Sequence, residues 1–168
     1  MMSRLFLLSL FFCLGLFAAP AETVSRSEAL AAIATLEKSV LSPTAADAAS
    51  AITRFAEDSE EVFITIGEET MPWVKDMTGP DAPIRARLTA VYIAGNVKAQ
   101  LARKRAEDDP YSGWIFLLKA YREVRTAMPR IRIPEIEDLQ AKEKAGTLKR
   151  DAEKLRKKEE CAMRPDIV

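Results

Sequence analysis

The side chains of this chain best suited to binding something small lie along one helix-length stretch: Arg85, Thr89, Tyr92, Asn96, Gln100 and Arg103. At helical spacing, Arg85, Thr89, Asn96, Gln100 and Arg103 fall into a narrow polar stripe with Tyr92 at its edge. Two guanidinium groups suit an anionic ligand because they can grip carboxylate or phosphate in a fork, and the carboxamides add both donors and acceptors. The stripe also has a structural use. Asn96 is the only asparagine in the chain and Gln100 is one of two glutamines. If other helices cover them, both must bond to neighbouring helix ends or loop carbonyls. Structural bonding is the preferred expectation; a ligand site at Arg85, Tyr92, Asn96, Gln100 and Arg103 requires the stripe to be open.

Other chemistry is narrowed by what the chain lacks. It has no histidine, which excludes triads with a histidine base, histidine-ligated metals and histidine-ligated haem. Its two cysteines, Cys13 and Cys161, are too few for a thiolate zinc site and lack CxxC spacing. Neither GxGxxG nor GxxxxGK[ST] occurs, so the familiar phosphate loops are missing. Carboxylates remain, in Glu57-Asp58-x-Glu60-Glu61, Glu68-Glu69 and Glu107-Asp108-Asp109. A carboxylate-dependent hydrolase would need two of them at a set separation. Neighbours in sequence rarely face each other, and acids before a helix are explained by capping and its dipole. No catalytic residue, metal ligand or cofactor is assigned. The aromatic residues Trp73, Tyr92, Tyr111, Trp114 and Tyr121 are read as core.

The N-terminus places this chemistry in a compartment. Arg4, an apolar run from Leu5 to Ala18 and the small-x-small site Ala19-Pro20-Ala21 form the pattern of a secretory signal peptide over 1–21. The run is shorter than the roughly 20 apolar residues of a membrane span. Phe12 before Cys13 argues against a lipoprotein. Cleavage leaves no apolar run of spanning length and leaves Cys161 without an intramolecular partner. Losing Arg4 turns a balance of 25 basic and 25 acidic residues into one net negative charge, which exerts no general pull on nucleic acid. With no N-glycosylation sequon, these features point to the bacterial periplasm or the extracellular space.

The elements that must position the stripe are helices. Ser25-x-x-Glu28 forms a capping box, and Ala29, Ile33, Leu36 and Val40 follow at helical spacing, predicting a helix over 26–41. Pro43 is expected at the first position of a second helix, whose buried face includes Ala45, Ala48, Ile52 and Phe55. A third helix runs from about Asp81 and Pro83 to Lys104. It is apolar on two sides and therefore central, with Gly95, Ala99 and Ala102 as a seam for close helix approach. Asp109 and Pro110 start a fourth, carrying Tyr111, Trp114, Leu117, Leu118, Tyr121, Val124 and Met128 on its buried stripe, and Pro129 stops it.

Pro134 opens a last, highly charged helix that frays beyond Gly146. Residues 62–66 and 130–133 alternate in the strand manner, and a minor two-stranded ribbon joining them is the one β element the sequence offers, although Asp58-x-x-Glu61 could equally cap a helix and leaves 59–68 open between helix and strand. The expected fold is mostly α: one helical domain of about five helices built from antiparallel hairpins, with core residues 22–134 and a charged C-terminal helix and tail over 135–168. Function is expected to be non-enzymatic, in protein interaction or envelope assembly with another envelope protein. The alternatives are a small-ligand binder using the stripe and a carboxylate-dependent hydrolase.

Overall fold

The computed structural model describes residues 23–75 and 77–163, except the side chains of 159–163. The segment 1–21, expected to be a signal peptide, and the Cys161 side chain lie outside what is described. Among the described residues, six α-helices and one short 3-10 turn form a mostly α domain without strands. None of these helices is long and apolar enough to cross a membrane.

The first helix, α1 (Arg26–Lys38), starts on the capping box: Glu28 N–H donates to Ser25 Oγ at 3.3 Å, and Ser25 N–H to Glu28 Oε2 at 2.7 Å. The Ser25 hydroxyl, donating to Glu28 Oε2 at 2.6 Å, and then the Ser25 N–H hold the Glu28 carboxyl below the usual carboxylate range. α1 stops short of the expected residue 41. At Ser39 the chain leaves helical geometry, and a carboxylate on another helix meets it: Glu123 accepts from the Ser39 hydroxyl and, at 3.2 Å, from Val40 N–H. α2 (Ala45–Asp58) packs back against α1. Pro43 lies in the turn before it, and Thr44 is the cap.

The central element is α3 (Ala82–Arg103), which packs against α1, α2 and α4. Every residue from Ala90 to Val97 is buried, as two apolar faces require. α4 (Pro110–Ala127) is its closest neighbour. Two glycines set their approach. A Cβ on Gly95 would stand 2.5 Å from Phe116 Cβ and 2.7 Å from Ser112 O, while one on Gly113 would stand 2.6 Å from the Tyr92 ring. The notch therefore pairs Gly95 with Gly113. Ala99 is half-buried and Ala102 exposed, so the expected Gly95-Ala99-Ala102 seam opens into a shallow groove past its first residue. On α4, Trp114, Leu117, Leu118, Tyr121 and Val124 are buried, while Met128 at the end of the stripe is 40% exposed.

The ribbon between 62–66 and 130–133 does not form. Each extended piece bonds instead to side chains of the helices beside it. Arg125 donates to the carbonyls of Pro129 and Ile131, each at 2.5 Å, and Ile133 N–H donates to Tyr121 Oη at 2.9 Å. The Ile131 carbonyl and the Ile133 amide are thereby bonded to helix side chains rather than to a strand partner.

The charged C-terminal helix also differs from expectation. It does not fray beyond Gly146 but turns there, separating α5 (Pro134–Lys144) from α6 (Leu148–Met163). Gly146 adopts φ 68°, its N–H donates to Glu143 O at 3.0 Å, and Thr147 N–H donates to Lys142 O at 3.0 Å. That bond pair is a Schellman ending, which needs the left-handed conformation glycine adopts without penalty. The turn returns α6 to α4, burying Leu148 and Ala152, so residues beyond 134 join the same core as Ile33, Leu88 and Trp114.

Two predictions follow from this packing. Gly95→Ala should destabilise the fold by about 1–3 kcal/mol through overpacking, reversing the roughly 1 kcal/mol gain that alanine brings to an open helix site; a urea midpoint at or above wild type would refute the close approach. Burial, first, and the Glu137 carboxylate raise the Tyr121 hydroxyl above its ordinary pKa of 10, against the opposing Ile133 N–H. A raised folded-state value means that its stabilisation is complete below about pH 10, where tyrosine ionises in the unfolded chain, and disappears as pH climbs through the folded value. Wild type should lose urea stability more steeply than Tyr121→Phe above about pH 10; equal slopes would contradict this linkage.

Candidate functional site

The polar stripe of α3 divides into two groups. Asn96 and Gln100 are one helical turn apart, both with no solvent exposure, and Gln100 Nε2 donates to Asn96 Oδ1 at 2.6 Å. Gln100 then reaches a backbone outside the helix. Its Oε1 accepts from Phe63 N–H at 2.9 Å and its Nε2 donates to Phe63 O at 2.7 Å. Gln100 thus uses its carbonyl and both of its N–H donors within the protein.

Asn96 turns the other way, toward the start of α4. Its Oδ1 also accepts from Asp109 N–H at 3.0 Å, and its Nδ2 donates to Asp108 Oδ1 at 2.5 Å. The other Asp108 oxygen accepts from Thr65 N–H at 3.3 Å. Asp109 caps α4, accepting from Ser112 N–H at 3.1 Å and from the Ser112 hydroxyl at 2.7 Å. A closed circuit results: Phe63, Gln100, Asn96, Asp108 and Thr65 link the extended segment, the central helix and the α3–α4 loop.

The remaining residues of the stripe lie elsewhere. Arg85, 7% exposed, donates to Trp73 O at 2.8 Å and lies 3.3 Å from Glu135 on α5. It stands about 22 Å along the helix from Gln100 at 1.5 Å per residue. Tyr92 is buried edge-on to Trp73, with ring centroids 5.6 Å apart, and Trp73 Nε1 donates to Thr89 Oγ1 at 3.0 Å. Arg103 is half-exposed and donates to Asp109 at 2.7 Å. Of the five predicted site residues, Arg103 lines an open cleft. That cleft, of about 300 Å³, also presents Lys149, Arg156 and Glu153 from α6. The structure brings Asn96 and Gln100 together, covers them and directs them at protein groups, leaving Arg85 and Tyr92 in a separate buried cluster.

Asp108 is the member of this circuit that the sequence did not single out. In Glu107-Asp108-Asp109-Pro110 only one acid is needed as a cap, and the surplus acid at a helix start was the available signal. The other acids are surface groups. Glu61 pairs with Arg26 at 2.9 Å, and Glu68 pairs with Lys75 at 2.8 Å, whose ammonium it raises above the ordinary lysine pKa chiefly by its hydrogen bond. Among the described residues, no three carboxylates or thiols are grouped to hold a metal ion. No known protein family, curated protein or solved structure matches the chain.

The circuit makes a mutational prediction. Gln100→Leu leaves the Phe63 amide and carbonyl without their partner and should cost about 2 kcal/mol, with hydrogen exchange at Phe63 accelerating more than tenfold. An unchanged unfolding midpoint would mean that Gln100 holds nothing together.

Proposed function

We propose that this protein is exported to the bacterial envelope and serves there as a non-enzymatic interaction component, binding another envelope protein. One observation carries the reading: the two carboxamides of the polar stripe are consumed inside the fold, while large apolar side chains are left in water. Asn96 and Gln100 have no exposure, yet Phe63 and Ile66, on the segment they secure, are 43% and 69% exposed. Isolated exposed apolar residues are ordinary on any protein surface; two on one short segment whose backbone is fixed suggest a contact surface. The leader-like pattern of residues 1–21 supports the compartment.

The export half is tested by the N-terminus of the protein recovered from the envelope fraction, which should begin at Glu22. An intact Met1 start on all recovered protein would exclude cleavage. The interaction half is tested by cross-linking in native envelopes before affinity purification. A discrete adduct heavier than the monomer is expected, and recovery solely as free monomer would defeat the proposal.

A further inference from the structure

Phe63 is held as a residue within a sheet is held. Its N–H and C=O both face Gln100, at 2.9 and 2.7 Å, so a side-chain carboxamide stands where a neighbouring strand would place a peptide group. Two residues on, Thr65 N–H faces Asp108 on the same side. Alternate residues of an extended chain point their backbone groups to the same side. Val62, Ile64 and Ile66 therefore point theirs to the other side, away from Gln100. Among the described residues, nothing bonds to the backbone of Val62, Ile64 or Ile66. The stretch VFITI carries no charge, glycine or proline, and its residue types favour strand geometry. It is a strand-like segment with its inner side filled by side chains and its outer side unbonded, covered at Val62, half-buried at Ile64 and open at Ile66.

Resting on the interaction reading above, we propose that residues 62–66 are a docking edge for an extended segment of a partner protein. That segment has an alternating apolar centre and lysine or arginine on its flanks, and it adds to VFITI as a β-strand. Charge selects this occupant over a second copy of the chain. Glu57, Asp58, Glu60 and Glu61 precede the edge, and Glu68 and Glu69 follow it. Glu57, Asp58 and Glu60 are exposed and form no ion pair with any described residue. Glu61, Glu68 and Glu69 are held only by exposed pairs with Arg26, Lys75 and Lys158, which exchange partners at little cost. Two copies pairing antiparallel about Ile64 would set Glu60 against Glu68, a repulsive juxtaposition. Basic flanks turn that repulsion into attraction.

The test titrates the full chain into a fluorescently labelled peptide, KKVTVTVKK, and follows anisotropy. Saturable binding is expected, at least tenfold tighter than for EEVTVTVEE, and lost when alternate amides of the basic peptide are N-methylated. Ile64→Pro removes the outward N–H and should weaken binding at least tenfold with the helical circular dichroism retained. The methylated peptide gives the answer without any substitution in the protein, should that variant fail to fold. Absence of saturable binding, or binding indifferent to N-methylation, would overturn the proposal. Self-association abolished by Ile64→Pro would overturn it in favour of a second copy. An envelope cross-link that survives Ile64→Pro unchanged would reject this edge and leave the interaction reading intact.

Discussion

The fold depends on two carboxamides buried on its longest helix. Asn96 and Gln100 sit on the covered side of α3 with no solvent exposure, and a buried amide left unpaired costs on the order of 1–3 kcal/mol. That cost makes the helix dictate the course of chain segments that have no regular structure. Residues 62–66 are ordered because Gln100 needs Phe63, and the α3–α4 loop is drawn inward because Asn96 needs Asp108 and the Asp109 amide. The satisfied network specifies a register. A one-residue slip of the segment would swap Phe63 for a neighbour whose amides face the opposite way.

Close packing and polar bonding reinforce each other at this point. Gly95 adjoins Asn96, and it lets α4 approach until Ser112 O and Phe116 nearly touch the α3 backbone. Gly113 makes the reciprocal allowance for Tyr92. Only a near α4 brings its own start, with Asp108 and Asp109, within reach of a side chain as short as asparagine. A longer carboxamide at 96 would meet that loop too soon. Trp114, one residue past Gly113, ties α4 to the segment between α2 and α3 by donating from Nε1 to Thr70 O at 2.8 Å.

The parts of this arrangement governed by neighbours in sequence were legible, and those governed by distant groups were not. Ser25-x-x-Glu28, Asp109-Pro110 and Pro134 mark helix starts because capping and the geometry of proline act within one turn. The doubly apolar pattern placed α3 at the centre for a similar reason. The alternation in VFITI and the cap-like Asp58-x-x-Glu61 left strand and helix both open there, because the deciding partner is a side chain 37 residues away in sequence, and no local pattern announces a carboxamide standing in for a strand. Gly146 was readable as a weak point. Whether a helix frays or turns back there depends on what Leu148 and Ala152 can bury, which is a property of α4. Asn96 and Gln100 stood out by rarity and position; whether they faced water or loop depended on elements whose docking the sequence does not display.

The inward bonds also prepare the outward face. An extended segment in solution loses about 1–2 kcal/mol per residue of backbone entropy when it is ordered, and that cost usually falls on the moment of binding. In residues 62–66 it is met during folding, by Gln100 and Asp108 from one side and by Val62 sinking into the core. The opposite edge inherits a fixed geometry without having contributed to it. Side chains can clamp an edge on one side, unlike a strand, without extending the sheet or twisting the segment away. The chain therefore presents strand-like backbone on a mostly helical scaffold, and in the docking proposed above the acids at its two ends would discriminate among partners.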